Sequence, residues 1–382
     1  MPDTPIYALT YPAVTGLVTD GATNMQTICT DVETALNTQT ATNDGRNWVD
    51  NPQFVVNYRN GQTITAGAYG YVADRWLWEV ANATSTFART TIALGTAGLD
   101  PSIVRGMSAN TTVSTLTTSL VHMEQLLDGV ERLSNRTVVL SFYAKAATGT
   151  PKIGARLVQN FGTGGSPSAE VALAVQTATL TTGWVRYSFT FTLASVAGKT
   201  LGTGNDDHTR IEIIFSGGSG TIGSAVGNQV NTLEVTGVQL EVSFLTPFEF
   251  RYEWVDNLRC QRFFTTSYQD SIWVLAGGAG AASQNGKVEF SGTTNGGNAM
   301  YYTYKFPVIM QRTPTMRFYV QTTGALGSWD YARSGATGVI AVGTAANGLS
   351  PLGFILVNSA SLGATWVAAQ YTGQWAASID GW

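Results

Sequence analysis

Residues 184–193 constrain the fold more than any other part of the chain. Val185, Tyr187, Phe189, Phe191 and Leu193 alternate with Trp184, Arg186, Ser188, Thr190 and Thr192. A period of two sustained over this length gathers the apolar side chains on one face of a strand and would scatter them around a helix. The pattern recurs at 138–145, where Leu140, Phe142 and Ala144 share one face and Val139, Ser141, Tyr143 and Lys145 the other. Further strands are expected at 48–54, 71–80, 116–125, 210–215 and 233–241. The stretches 160–168 and 216–228 are rich in Gly, Ser and Asn and read as turns. Short strands separated by such turns point to a β-sandwich.

Composition agrees with an all-β chain and narrows its partners. Charged residues are 12% of the chain, and 42 of its 382 residues are glycine, whereas an ordinary soluble domain is about a quarter charged. The length allows two or three domains. A net charge of −4 gives no electrostatic footprint for nucleic acid or an anionic membrane. No run approaches the roughly 18 apolar residues of a membrane span. The opening Met1-Pro2-Asp3 lacks the basic-then-apolar pattern of a secretory signal, and assembly in a reducing cytoplasm is expected. Cys29 and Cys260 are read as free thiols there, and with His122 and His208 they make no zinc-site spacing.

Three domains are expected. Residues 1–42 form an arm and a short helix, capped by Asp20, that carries Met25, Ile28, Val32, Ala35 and Leu36 on one stripe. Two heptads cannot make a stable isolated coil, so the stripe is assigned either to self-association or to the face of the next domain. Residues 43–251 form a jelly-roll-like sandwich. Residues 252–382 begin with a hinge and continue as a distal β-sandwich, with strands near 300–306, 353–357 and 365–371.

Several motifs carry a family resemblance. They are Gln159-Asn160-Phe161-Gly162-Thr163-Gly164-Gly165-Ser166-Pro167, then Ala197-Gly198-Lys199-Thr200-Leu201-Gly202, and Gly237-Val238-Gln239-Leu240-Glu241 leading into Thr246-Pro247-Phe248-Glu249. They resemble the carbohydrate-binding-module-like jelly rolls of phage tail fibres and related virion proteins, over residues 48–251. Leu258-Arg259-Cys260-Gln261-Arg262-Phe263-Phe264, and Phe306-Pro307-Val308 with Arg312-Thr313-Pro314-Thr315, are similar to segments of such fibres. The resemblance implies a homotrimeric virion fibre or spike, docked on tail or head proteins by its N-terminus and adsorbing to host-surface polysaccharide. A structural spacer or decoration protein is the alternative, and a polysaccharide-degrading spike a weaker one.

Candidate ligand residues are the aromatic and hydrogen-bonding side chains that sugars favour. Trp329, Asp330, Tyr331 and Arg333 are expected in a receptor-contact loop of the distal domain, and Tyr143, Trp184 and Arg186 on a jelly-roll platform. Trp76 and Trp78 share a face of their strand. No enzyme is expected. His122 and His208 lack triad partners in the sequence, and Asp206, Asp207, Glu212 and Glu241 are the acids worth testing for a glycosidase pair. No cofactor is expected beyond a structural calcium, for which Asn51, Asp206 and Glu241 are the candidate ligands.

Overall fold

In a computed structural model of the chain, residues 45–59, 69–267, 288–294, 301–320, 326–333, 336–358 and 367–379 are described, with the isolated positions 27 and 30. Met25, Ile28, Val32, Ala35 and Leu36 lie outside the described residues.

The protein is all-β, as its alternating runs require. A seven-stranded antiparallel sheet is ordered β1 (Tyr69–Ala73), β2 (Trp76–Ala81), β5 (Leu120–Asp128), β11 (His208–Gly217), β7 (Lys152–Asn160) and β8 (Val171–Ala172), with β9 (Gln176–Thr179) also paired to β7. A five-stranded sheet faces it, ordered β10 (Val185–Thr192), β6 (Thr137–Ala146), β12 (Asn231–Val242), β4 (Arg105–Val113) and β3 (Thr84–Thr91). Their inner faces bury Trp76, Trp78, Phe87, Met123, Leu140, Phe142, Leu157, Ile211, Ile213 and Phe215 among others. Trp78 packs 3.8 Å from Phe87 and 5.5 Å from Phe215, measured between ring centroids. Each such side chain contributes about 1.5–3 kcal/mol by leaving water. Trp76 and Trp78 do share a face, and it is the core face.

Within β10, Phe189 and Phe191 enter the core, followed by Leu193, while Val185 is exposed at the strand's start. The expected strand at 71–80 is a hairpin, because Arg75 turns the chain at φ 72° between β1 and β2. The expected strand at 48–54 is absent. Asn51 and Phe54 adopt φ 50° and 57°, and the Asn51 side chain binds the backbone of Val56 and Asp74. This strap instead fills a bulge in β12, where Gly237 turns at φ 58° and a Cβ would come within 3.0 Å of the Tyr143 ring. Asn47 Nδ2 donates to Val238 O, and Val238 N donates to Pro52 O.

The segment expected as a hinge is a docked helix, α1 (Glu253–Gln261). Its inward side buries Asp256 and Cys260. Arg251 donates to Asp256 at 2.8 Å and to the backbone of Asn47, and Arg259 donates to Asp50 at 2.6 Å. Arg75 also reaches Asp50 at 3.2 Å and lies over the Phe263 ring. These buried pairs replace the apolar stripe by which docked helices are usually recognised.

An eight-stranded sheet follows. Its long strand β20 (Val367–Ser378) pairs with β13 (Phe264–Thr266) and β14 (Val288–Thr294) along one edge and with β16 (Thr315–Val320) and β17 (Ser328–Arg333) along the other. The sheet continues through β18 (Ala336–Ser350), β19 (Gly353–Asn358) and β15 (Tyr301–Lys305). It closes over a second core in which Trp375 lies 5.0–5.6 Å from Tyr304, Phe306 and Phe354.

Candidate functional site

Among the described residues, the outer face of the seven-stranded sheet carries a large constellation of paired charges. On β5, Val121, Met123 and Leu127 point into the core, so His122, Glu124, Leu126 and Asp128 point out. On β11, Ile211, Ile213 and Phe215 are core, leaving His208, Arg210, Glu212 and Ile214 on the outer face. Directly paired residues share a face, so the register aligns Leu77, Glu124, Glu212 and Arg156 in one row across β2, β5, β11 and β7. A neighbouring row runs from Tyr69 through Glu79 to His122. Tyr69 is 63% exposed on the edge strand.

Acids and bases interlock on this face. His122 Nε2 lies 3.7 Å from Glu79 and 3.6 Å from Glu124. Arg210 Nε is 2.7 Å from Glu212 and 3.5 Å from Glu124, and its Nη2 lies 3.7 Å from Glu170. Arg156 makes a two-pronged pair with Glu212. Burial alone would raise the Glu212 pKa, but the hydrogen bond and charge of Arg156, with Arg210, hold it below the usual carboxylate value. Arg210 is weakened as a cation by burial, yet Glu212 and Glu124 carry its pKa above the ordinary one.

The face is walled at both ends. At one end, Leu120 and Ile214 are covered by Val226, Ile222 and Val175. At the other, Asp128 and His208 line a cavity of about 120 Å³, closed by Phe263, Gln311 and Arg312. Burial lowers the His208 pKa there, although its Nδ1 bonds Asp206 O at 2.7 Å. The result is a floor of fixed donors and acceptors with a rim tyrosine, suited to hydroxyl-rich ligands. Sequence reasoning missed it, weighing Glu212 only as an acid. The signal was present: His122-x-Glu124 and His208-x-Arg210-x-Glu212 place charges at every second position between core residues.

The expected ligand residues fall elsewhere. Tyr143, Trp184 and Arg186 do come together on the five-stranded sheet, where each has an internal partner. Trp184 is buried and packs with Ile92, Ile103 and Phe248. Arg186 donates to Thr246 O at 2.6 Å and Ser141 Oγ at 2.9 Å, with its Cζ 5.7 Å from the Tyr143 ring. Burial raises the pKa of half-buried Tyr143. Trp329, Asp330, Tyr331 and Arg333 are on β17, not in a loop. Trp329 is buried, donates through Nε1 to Gln374 O at 3.2 Å, and lies so close on Gly373 that a Cβ there would meet its Cγ at 2.2 Å. Asp330 is half-buried opposite Val339 and Thr372.

The candidate calcium ligands each have separate partners. Asn51 is held by the 51–56 turn. Asp206 accepts from Thr163 N and Oγ1, both at 2.7 Å, and those bonds lower its pKa against burial that would raise it. Glu241 lies 3.4 Å from Arg46 and accepts from Thr246 N. Among the described residues, no group of three or more His, Cys, Asp or Glu side chains is placed to hold a metal ion.

No family model matches the chain, and no curated protein matches it in sequence. Parts of solved structures are similar to it. The enzymatically active domain of tailspike protein 4 of bacteriophage CBA120 is 10% identical over 52% of this chain, with a TM-score of 0.32, and the match spans only 22% of that chain. The family 11 carbohydrate-binding module from Clostridium thermocellum is 12% identical over 46% of this chain and 92% of its own, with a TM-score of 0.29. The N-terminal cellulose-binding domain of Cellulomonas fimi β-1,4-glucanase C is 19% identical over 42% of this chain and 90% of its own, with a TM-score of 0.25.

Proposed function

We propose that this protein is a virion fibre or spike component that adsorbs to host-surface polysaccharide through the outer face of the seven-stranded sheet. The observation that carries the binding role is the interlocked network of Glu79, His122, Glu124, Arg210, Glu212 and Arg156 on adjacent strands. Mutual pairing holds these side chains in place: His122 and Glu212 are buried and anchor the others, and the partly exposed Glu79, Glu124, Arg156 and Arg210 lose little rotamer entropy when sugar hydroxyls replace water on them. The exposed Tyr69 ring at the rim offers an apolar face for a sugar ring. Single sites of this kind bind weakly, and several copies on one particle would raise the avidity.

Binding fits the face better than bond cleavage does. A glycosidase needs a carboxylic acid with a raised pKa facing a second carboxylate; Glu212 is held ionised between two guanidinium groups, and Asp128, whose pKa burial raises, lies apart at the walled end of the face. The virion setting rests on the motifs that resemble fibre proteins. Glycan arrays and host-envelope pull-downs with the full chain test the binding role, with Glu124→Gln/Arg210→Ala as the site variant. Loss of a measured glycan signal in that variant is expected, and an unchanged signal would refute the site. Immunogold labelling of intact particles tests the setting.

A further inference from the structure

Helix α1 is inside out. Its inward side is ion-paired, while its outward side carries two exposed large apolar residues beside the exposed Glu253. Trp254 and Leu258, four residues apart, are 62% and 43% exposed, opposite the buried Asp256 and Cys260. Phe250 and Tyr252, just before the helix, are 49% and 66% exposed, with ring centroids 5.6 Å apart in an edge-on contact. Four large apolar side chains exposed within nine residues are a concentration of apolar surface of a kind that ordinarily has an occupant.

The chain itself supplies one. The described fold begins at Gly45, whose N donates to Glu249 Oε1 at 2.8 Å, and Asn47 N donates to Glu249 Oε2 at 2.7 Å. Arg46 Nη2 donates to Pro247 O at 2.7 Å. The N-terminal segment is therefore delivered beside Phe250, the first residue of the apolar surface. Eight residues separate Leu36 from Gly45, and the nine Cα steps between them span up to about 30 Å when extended, against a length of about 13 Å for α1. Thr27 and Thr30, both helical and exposed, lie off the stripe of Met25, Ile28, Val32, Ala35 and Leu36. We infer that this stripe packs in cis on Phe250, Tyr252, Trp254 and Leu258 of its own chain. A helix of two heptads, which the sequence predicts there, is too short to be stable alone, and the short tether presents the segment to the surface at an effective concentration in the millimolar range.

A native thiol makes the packing testable in the full chain. Cys29 flanks the stripe, one residue from Ile28. Cys260 is fully buried, and burial pushes its thiol pKa well up, so it stays unreactive. With Leu258→Cys in place, a short bis-maleimide should join Cys29 to the introduced thiol within one chain. The product should migrate as a monomer, with a yield independent of protein concentration. Moving the probe to the polar face (Cys29→Ser with Thr34→Cys) should cut that yield at least fivefold. Cross-links only between chains would assign the surface to a second copy and overturn the inference. Absence of any cross-link, or equal yields from positions 29 and 34, would overturn it as well.

Discussion

The two β-regions treat their large aromatic and charged residues in opposite ways. In the sandwich, two sheets divide the work: inner faces hold the aromatics, and the outer face of one sheet is left to a network of acids and bases. In the distal region a single sheet closes on itself, and Phe318, Trp329, Tyr371 and Trp375 are all drawn into its interior. An aromatic-rich stretch in a sequence therefore identifies a ligand platform only when the sheet carrying it has a face to spare. The sandwich has such a face. The distal sheet uses its aromatics for its core, so Trp329 supports packing where the sequence pointed to receptor contact.

The largest expected effect breaks this contrast directly. Trp329→Ala should destabilise the distal region by about 3–5 kcal/mol, as loss of a large buried aromatic does, and should leave glycan binding by the folded protein unchanged. Denaturant titration read alongside a binding assay checks both halves. Arg251→Ala comes next. It leaves Asp256 buried without its guanidinium, which costs about 3 kcal/mol, and should separate one unfolding transition into two in calorimetry. Arg210→Ala should act in the reverse sense to Trp329→Ala: roughly tenfold weaker binding, about 1.4 kcal/mol, with a smaller loss of stability.

The smallest effect is a pH dependence. Burial lowers the His208 pKa below its ordinary 6.5, so as pH falls through 6.5 the unfolded chain takes up the proton first. His208 thus contributes stability above that pH, and the contribution is lost as pH falls toward the folded pKa. Asp50 acts in the same sense lower on the scale: its burial raises the pKa, but Arg259, Arg75 and Arg251 together bring it below 3.8. Melting temperature should decline from pH 7 to 5, and His208→Gln should flatten that decline. An unaltered slope in the variant would assign the dependence elsewhere.

How much of this was legible in the sequence depended on what did the burying. Where apolar side chains fill the core, as in β6, β10 and β11, alternation located the strands to within a few residues. Where polar groups are buried, it failed. Residues 48–54 look strand-like, but Asn47 and Asn51 turn their amides onto the backbone and bend the chain away from sheet geometry. Helix α1 was hidden because Asp256 and Arg259 occupy positions where a docked helix usually shows leucine, with Arg251 just before the helix pairing Asp256. The charged face was visible in the alternation of β5 and β11, yet its members became one site only through cross-strand register, which a single sequence does not contain.

The clasp around Asp50 has a mechanical consequence. Arg75 from the sandwich and Arg259 from α1 converge on this one carboxylate, and Arg59 stacks on Phe264 at the first strand of the distal sheet. Tension applied at the far end of the chain would reach the sandwich through buried guanidinium grips and stacked rings, with no slack tether to stretch first. Two regions joined this way behave as a stiff lever: a pull on the distal region would turn the outer face of the sandwich with it.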